Sequence, residues 1–278
     1  MLQFDCKTHW QRVAASYRDT MHTPYNKNRL EMVDALLEKS DLSGSVLDFG
    51  CGDGVMSESV LSAGGSVHAV DLEPSMVEST QCLLEQWAER HPGANYSVQR
   101  GGVEGLSSLT EGSFDTILAI NVLAYMNGGE ERQFYTQSKR LLRSGGVLLV
   151  THSNELFDLY TLNKYTQLFF KHHFSTHAAM DEVGSLLVHP DEPDRRIFPV
   201  RENPLNYRYK LGSYGFMEER QEFSIFHKLP PLLMEGFDPD DLQSRDYPDT
   251  IHWPASERWK LMFMCSIFGS RAISLPQR

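Results

Sequence analysis

The sequence predicts an α/β fold in which a seven-stranded, mostly parallel sheet carries helices on both faces. From residue 45 onward, short apolar runs alternate with longer amphipathic segments, which is the pattern of parallel strands joined by helices. A glycine-rich turn follows the first of these runs directly. Two late strands have no strong helix between them, which favours an antiparallel pair at one edge of the sheet.

The order of the elements follows from these runs. Five parallel strands are expected at residues 45–49, 66–70, 95–99, 115–120 and 146–151. A sixth is expected at residues 222–227, and the apolar run at residues 261–268 closes the chain. Three helices are predicted from apolar residues at three- and four-residue steps or from cap signals: after Pro74 through Met76, Thr80, Leu83 and Trp87; through Phe134, Ser138 and Leu141 up to Gly145; and from Asn203-Pro204 to Gly215.

Two regions fit this Rossmann-like scheme poorly and divide the chain. Residues 1–40 are predicted to form an N-terminal helical cap, and residues 152–202 an insertion after the fifth strand. Residues 41–151 and 203–278 form the core, the latter with the antiparallel edge strands. Because ligands of open α/β sheets bind beyond the carboxyl ends of the strands, we expect the insertion to be an active-site lid, with peripheral packing as the alternative.

Composition excludes several classes of partner. The formal net charge of −11 comes with no run of Lys or Arg, which argues against nucleic acid. The four cysteines lack CxxC spacing, so we expect a reducing cytoplasm and neither a zinc site nor a disulfide framework. No segment reaches the roughly 20 apolar residues that span a bilayer, so no membrane partner is expected. The partner that remains is a small-molecule substrate. The sequence does not indicate the oligomeric state.

The most informative stretch is VLDFGCGDGVMSESVL, where a strand runs through Gly50, Gly52 and Gly54 into a helix. Glycines at such a junction let a ligand approach the backbone. A second strand ends in Asp71 one βαβ step later, where a carboxylate can accept hydrogen bonds from both hydroxyls of a ribose. Together these signals predict a nucleotide-like ligand.

Charge narrows the choice of ligand. The spacing is GxGxG rather than GxGxxG, and Asp48 and Asp53 bring negative charge to the loop. A pyrophosphate is poorly matched to these carboxylates. A ligand with an ammonium and a sulfonium beside its carboxylate is better matched.

Over residues 43–151 the chain resembles the class I S-adenosylmethionine-dependent methyltransferases, whose first motif is an acidic residue followed by xGxGxG. The resemblance implies S-adenosylmethionine as cofactor, S-adenosylhomocysteine as product, and contacts from the glycine loop and the end of the second strand. The residues so implicated are Asp48, Gly50, Cys51, Gly52, Gly54, Asp71 and Leu72.

The same resemblance extends to the segment EGSFDTILAINVL, where it places Asn121 and Val122 beside the cofactor and residues 123–125 toward the methyl group. Many members of the family carry an Asp that contacts the adenine amino group where this chain has Gly102. Val103 or Glu104 is therefore expected to supply this contact.

Two more segments extend the likeness. HWQRVAASYRD followed by YNKNRL is similar to a cap that closes over the cofactor, with Tyr17, Tyr25 and Arg29 as its candidates. NPLNYRYKLGSYGF followed by FSIFHKLPPLL is similar in layout to methyltransferases associated with bacterial surface polysaccharides.

Methyl transfer from a sulfonium is an in-line displacement that needs alignment and exclusion of water more than covalent machinery. A hydroxyl or ammonium acceptor also loses a proton, and His is the usual base near neutral pH. His152 is the best placed candidate by topology, with Tyr125 and Glu155 as further catalytic candidates. His172, His173 and His177 lie close in sequence but lack a carboxylate pattern, so no metal is predicted.

The sequence therefore predicts a methyltransferase that acts on a small-molecule acceptor at oxygen or nitrogen, such as a sugar or a phosphate-bearing metabolite. Two alternatives remain: a non-catalytic cofactor-binding protein of regulation or assembly, and an aminopropyltransferase on the same fold. The loop spacing disfavours nicotinamide-dependent hydride transfer.

Overall fold

The computed structural model describes residues 23–38, 42–161, 200–227 and 248–276. Within them a seven-stranded sheet runs in the order β3-β2-β1-β4-β5-β7-β6. Its strands are β1 Ser45–Phe49, β2 Ser66–Asp71, β3 Asn95–Arg100, β4 Phe114–Ala119, β5 Leu142–Ser153, β6 Phe216–Phe226 and β7 Cys265–Ser274.

The directions of the strands confirm the predicted mixed sheet. Strands β1 to β5 pair in parallel, whereas β7 runs antiparallel to both β5 and β6. The strand order reverses between β1 and β4, so the carboxyl ends of these two strands flank a crevice. The predicted seven strands are all present.

Several strand and helix boundaries were wrong. Strand β6 begins at Phe216 rather than at residue 222; the prediction missed its start because the residues after Phe216, MEERQ, are mostly polar and at least partly exposed. The apolar run at 261–268 is divided between a short helix and β7. The last described helix before β6 begins at Tyr207, after a turn at residues 204–206, and not directly after Pro204.

The helices lie on both faces of the sheet. They are α1 Pro24–Leu37, α2 Val55–Ser62, α3 Pro74–Arg90, α4 Gly128–Leu141, α5 Glu155–Thr161, α6 Tyr207–Ser213 and α7 Leu261–Met264. In α3 the buried positions are Met76, Thr80 and Leu84, so the predicted stripe holds for its first two members and then passes through Leu84 instead of Leu83. None of the described helices is long and apolar enough to cross a bilayer.

Alternating strand residues create two cores, one on each face. On β1, Leu47 belongs to the core that α4 and α6 cover, and Val46 to the core that α1 and α2 cover. Both residues are fully buried. This alternation is the two-residue period of a strand that is covered on both sides.

Helix α1, the described part of the predicted N-terminal cap, packs against β6 and β7. A buried hydrogen-bond pair holds it there, since Asn28 Oδ1 accepts from Ser224 Oγ (2.8 Å) and from the Ile225 backbone N–H (3.0 Å). Ile225 has φ +62°, an uncommon conformation for a β-branched residue. The Asn28 side chain thus provides a hydrogen-bond acceptor for the Ile225 N–H, at a point where the backbone of β6 is irregular.

Asp48 joins β1 to α2 from within the core. The residue is 2% exposed, and its carboxylate accepts a hydrogen bond from Ser57 Oγ at 2.6 Å. Burial raises the pKa of Asp48 to about 6, against the opposing effect of the Ser57 hydrogen bond.

We expect Asn28→Ala to destabilise the protein by about 1–3 kcal/mol, because the buried Ile225 N–H loses its acceptor. The exposed neighbour Lys27→Ala is the matched control and should leave stability unchanged. Urea unfolding of the two variants measures the difference. Equal midpoints for Asn28→Ala and Lys27→Ala would show that α1 is held by other contacts.

A second expectation concerns pH. Because the folded-state pKa of Asp48 lies above its ordinary value of 3.8, this group lowers stability progressively as pH rises from about 4 to about 6. In Asp48→Asn that loss disappears, so the variant should gain up to about 3 kcal/mol relative to the parent between pH 4 and pH 6.5. Chemical unfolding at several pH values gives both curves, and parallel curves would contradict this account.

Candidate active site

The glycine loop between β1 and α2 is held in place by the end of β2. The backbone N–H groups of Gly50 and Cys51 donate to the Val70 carbonyl at 2.7 and 3.1 Å. The Gly52 N–H donates to Asp71 Oδ2 at 2.9 Å. The loop is therefore fixed before any ligand binds.

The three glycines are required by backbone conformation and by space. Gly50, Gly52 and Gly54 have φ of +74°, +57° and +88°, in the left-handed region that favours glycine. At Gly50 a Cβ atom would lie 2.2 Å from Val122 Cγ2. The segment after β4 therefore packs directly on the loop, which a larger residue at position 50 would prevent.

The loop offers few donors to a phosphate. Gly54 N–H donates to the Cys51 carbonyl at 3.0 Å, so four of the five backbone N–H groups at residues 50–54 already have protein acceptors. Phosphate-binding loops present such groups to the ligand. This geometry agrees with the prediction that a pyrophosphate is poorly matched here.

Asp71 lies at the carboxyl end of β2, facing the loop. Its second oxygen, Oδ1, accepts from the Glu73 N–H at 2.9 Å. Burial raises the pKa of Asp71, and the hydrogen bonds from Glu73 and Gly52 oppose that rise. A carboxylate offers about four lone-pair sites, so the Asp71 carboxylate can accept a further hydrogen bond besides those from the backbone.

An open cleft of about 870 Å³, including its mouth, lies over the carboxyl ends of β1, β2, β3 and β4. Its lining consists of Phe49, Gly50, Gly52, Asp71, Leu72, Met76, Gly101, Gly102, Val103, Glu104, Ile120, Asn121, Val122, Tyr125, Met126 and Glu130.

The charges in this lining have one sign. Asp71, Glu104 and Glu130 are acidic, and no Lys, Arg or His lines the cleft among the described residues. An acidic cleft with apolar walls favours a ligand that carries positive charge. Because the described wall has no cation, it offers no direct partner to a phosphate group.

Asn121 adopts an unusual conformation at the end of β4. Its φ is +59°, and its N–H donates to Thr151 Oγ1 at 2.7 Å. Asparagine tolerates the left-handed region better than most residues do. Backbone of this kind is enriched at binding sites, and here it directs the chain from β4 across the glycine loop.

Nine of the predicted residues meet in the cleft: Gly50, Gly52, Asp71, Leu72, Val103, Glu104, Asn121, Val122 and Tyr125. Three other predicted residues, Asp48, Cys51 and Gly54, lie in or next to the loop but on the side away from the cleft. Asp48 accepts a hydrogen bond from Ser57, the Cys51 thiol lies 3.5 Å from Thr80 Oγ1, and Gly54 is the N-cap of α2. None of these three lines the cleft, so their direct contact with a cofactor stays a prediction.

Two of the three predicted cap residues are described, and they lie away from the cleft. Tyr25 and Arg29 belong to α1, which packs on β6 and β7, and neither residue lines the cleft. Arg29 is buried, at 4% exposure. Tyr17 lies outside the described residues, as do His172, His173 and His177 and most of the predicted lid. The described residues hold no group of three or more potential metal ligands.

His152 does not reach the cleft. Its ring packs edge-on against Tyr207, with centroids 4.5 Å apart, and lies 5.3 Å from Phe268. Burial holds the pKa of His152 well below its ordinary value, so the ring is neutral near pH 7. The geometry gives no support to the predicted role of His152 as a general base. Glu155 is also buried and outside the cleft lining, whereas Tyr125 lines the cleft.

An ion cluster supports the side of the cleft that carries Tyr125. Lys210 of α6 pairs with Glu131 of α4 at 2.5 Å and also with Glu202. Burial raises the pKa of Glu202 to about 8, although Lys210 opposes the rise. The cluster ties the start of α4, directly after Tyr125 and Met126, to the C-terminal part of the core.

Sequence reasoning missed several lining residues, namely Phe49, Met76, Gly101, Ile120, Met126 and Glu130. Phe49 and Ile120 lie at the carboxyl ends of two strands that the sequence predicted. Their position at these ends could therefore have identified them as lining residues. Glu130 was detectable from the capping box that it forms with Asn127 at the start of α4. Met76 appears in the sequence as an ordinary core residue of a helix.

Residues 46–146 match a family model described as a methyltransferase domain. The chain is 35% identical over 130 residues to a ubiquinone biosynthesis O-methyltransferase of Xanthomonas oryzae pv. oryzae, covering 46% of this chain and 50% of that protein. It is 28% identical over 201 residues to a mitochondrial ubiquinone biosynthesis O-methyltransferase of Schizosaccharomyces pombe, covering 68% and 70%. The match thus spans about half the length of the Xanthomonas relative.

Solved structures share the fold over nearly the whole chain. The magnesium protoporphyrin IX methyltransferase of Synechocystis PCC 6803 with bound S-adenosylhomocysteine aligns with TM-score 0.57 and 16% identity, covering 96% of this chain and 97% of that one. The N-methyltransferase NodS of Bradyrhizobium japonicum WM9, also with S-adenosylhomocysteine, aligns with TM-score 0.54 and 11% identity over 99% and 100%. The matched residues contain the glycine loop, Asp71, strands β2 to β4 and all of β1 except Ser45, so this part of the chain is similar to methyltransferase domains.

Proposed function

We propose that this protein binds S-adenosylmethionine in the cleft and transfers its methyl group to an oxygen atom of a small-molecule acceptor. The observation that carries the proposal is the pairing of the preformed glycine loop with Asp71 in an acidic cleft. Methyltransferase relatives and the matched domain model support the same reaction class.

The residues present fit this cofactor. The open lone pairs of Asp71 suit the two hydroxyls of a ribose. Gly50 and Gly52 line the cleft without side chains, so the amino-acid part can approach their backbone. The carboxylates of the cleft suit the ammonium and the sulfonium, whereas the internally bonded loop does not suit a pyrophosphate.

The nature of the acceptor is proposed from the relatives and from the described wall. The relatives are named as O-methyltransferases, which favours oxygen over nitrogen. Ile120, Val122 and Met126 give the wall beyond the glycine loop an apolar character, and no basic residue joins them among the described lining. An uncharged acceptor is therefore favoured over the phosphate-bearing one considered from sequence. The likeness to surface-polysaccharide methyltransferases stays a prediction.

The bound cofactor would supply an electrophilic methyl group. The protein aligns the acceptor oxygen with that methyl and keeps water out through the apolar side chains of the wall. Tyr125 is the catalytic candidate that lines the cleft, where its hydroxyl can hydrogen-bond the acceptor oxygen and orient it. The methyl–sulfur bond would break as the methyl–oxygen bond forms, with its electron pair left on sulfur, and the proton of the acceptor would pass to solvent at the open mouth of the cleft.

Two rival functions are separated by simple assays. A non-catalytic binding protein would bind S-adenosylhomocysteine but release no methyl group to any acceptor. An aminopropyltransferase would turn over only the decarboxylated cofactor. Transfer of labelled methyl from S-adenosylmethionine to members of a panel of phenols and alcohols would support the proposal over both rivals.

Asp71→Ala should weaken binding of S-adenosylhomocysteine by about 100-fold or more, because two hydrogen bonds to a carboxylate are lost. Glu111→Ala removes the same charge from an exposed turn outside the cleft and should bind as the parent does. Titration calorimetry gives the affinities. Unchanged affinity in Asp71→Ala would remove the ribose assignment.

Tyr125→Phe should lower turnover about tenfold to hundredfold while leaving the affinity for S-adenosylhomocysteine unchanged, because the proposed hydrogen bond of its hydroxyl goes to the acceptor and not to the cofactor. Tyr160→Phe, on α5 and outside the cleft lining, is the matched control. Rates with the best acceptor of the panel provide the measurement. Equal rates in the two variants would show that Tyr125 does not orient the acceptor.

A further inference from the structure

A buried cluster of two carboxyl groups and one ammonium lies at the start of α4. Glu131 of α4 and Glu202, which precedes α6, are 8% and 7% exposed. Lys210 of α6 bonds both, with its Nζ 2.5 Å from Glu131 Oε1 and in contact with Glu202 Oε1. Two ionised carboxylates beside one ammonium would leave one negative charge uncompensated within this cluster. Because such a buried charge is costly, the cluster favours a form that keeps one proton.

Glu202 and Lys210 belong to the C-terminal part of the core. The Glu202 N–H donates to the Ser153 carbonyl at 3.1 Å, and the Glu202 carbonyl accepts from the Glu155 N–H at 2.9 Å. These two bonds fix Glu202 to the end of β5. Lys210 is carried by α6, which packs against β6. Both residues therefore have backbone anchors outside α4.

Glu131 belongs to the turn that forms part of the cleft wall. Its N–H donates to the Asn127 carbonyl at 3.0 Å. Asn127 Oδ1 accepts from the Glu130 N–H at 3.0 Å, and Glu130 Oε2 accepts from the Asn127 N–H at 2.7 Å. Tyr125, just before this turn, and Glu130 within it both line the cleft. Because the turn is bonded within itself, the position of Glu131 determines the position of this wall.

The titratable and charged groups around Glu202 come from α4, α5, α6 and β5. They are Glu131 and Tyr135, Glu155 and Asp158, Tyr207 and Lys210, and His152, with Arg201 next to Glu202 in the chain and paired with Asp158. Burial raises the pKa of Glu202 to about 8; Lys210 opposes the rise, and the charge of Glu131 and its hydrogen bond to Glu202 add to it. Near pH 7 the two carboxyl groups therefore hold one proton between them.

We propose that Glu202 is a positioning residue for methyl transfer, because the proton that it shares with Glu131 holds the start of α4 in place and so sets the position of Tyr125. When the pH rises, this proton passes to solvent and the two carboxylates repel each other. The start of α4 then moves away from Glu202 and carries Tyr125 with it. The role in turnover rests on the proposed function, whereas the glycine loop and Asp71, the proposed cofactor site, contain no residue of this cluster.

The test compares the pH dependence of kcat/KM for one acceptor in the parent and in Glu202→Gln. The glutamine amide can still accept from Lys210 and donate to Glu131, but it cannot lose a proton in this range. Since the folded-state pKa of Glu202 lies above its ordinary value of 4.5, its hold on α4 is complete at low pH and is lost as the pH rises through about 8. The ratio of variant to parent kcat/KM should therefore increase about tenfold between pH 7 and pH 9.

Two controls accompany this comparison. The ratio cancels any ionisation of the acceptor itself, because both proteins receive the same acceptor. Glu89→Gln, an exposed charge loss on α3 outside the cleft, should follow the parent at every pH. The affinity for S-adenosylhomocysteine should be equal in the three proteins at each pH.

A second measurement does not depend on methyl transfer. Hydrogen exchange of the backbone amides at residues 127–131 reports release of the start of α4. At pH 9 these amides should exchange about two- to tenfold faster in the parent than in Glu202→Gln, and at pH 7 the two proteins should be equal. Amides of β1, Ser45–Phe49, should exchange equally in both proteins, because they lie outside the released segment.

The outcomes separate this inference from the proposed function. A constant ratio of kcat/KM from pH 7 to pH 9 would overturn the role of Glu202 and leave the proposed methyl transfer intact. Equal exchange at residues 127–131 in both proteins at pH 9, or faster exchange in β1 as well, would overturn the local release of α4. Absence of methyl transfer by the parent at every pH would overturn the proposed function, and the role of Glu202 in turnover with it, whatever the exchange shows.

Discussion

The hydrogen bond from the Gly52 N–H to Asp71 Oδ2 is the constraint on which the cleft depends. It joins the loop after β1 to the end of β2, and the neighbouring bonds from Gly50 and Cys51 to the Val70 carbonyl hold the same junction. Asp71 thereby performs two tasks, because it positions the loop and still presents lone pairs to the cleft. A ligand that binds both sides meets a site whose geometry is set in advance, which reduces the ordering cost of binding.

This constraint explains why the surrounding sequence is so restricted. The loop can follow its path only with positive φ at its glycines, and Val122 packs so closely on Gly50 that no side chain fits. Asp48 adds a buried carboxylate beneath the loop, which burial makes harder to ionise. A folded site that concentrates carboxylates in this way is stabilised by a cationic ligand, so ligand chemistry and local stability are linked.

The sequence predicted the sheet, its direction changes and most of the inner cleft because these depend on local patterns. Apolar runs mark strands that are covered on both faces, and Gly50 to Gly54 with Asp71 form a motif whose chemistry is readable from residue types. Helix α1 shows the limit, since packing of Asn28 against Ile225 is a long-range contact that no local pattern records. His152 shows a second limit of prediction from sequence. Its place just past the fifth predicted strand suggested a position near the site, whereas in the structure its ring packs against Tyr207 and Phe268.

A crystal structure of the protein with S-adenosylhomocysteine tests the central claim most directly. The account predicts ribose hydroxyls within hydrogen-bond distance of both Asp71 oxygens, the amino-acid part over Gly50 and Gly52, and a loop backbone unchanged from the one described. A ligand bound elsewhere, or a loop that rebuilds and breaks the Gly52 to Asp71 hydrogen bond, would contradict it.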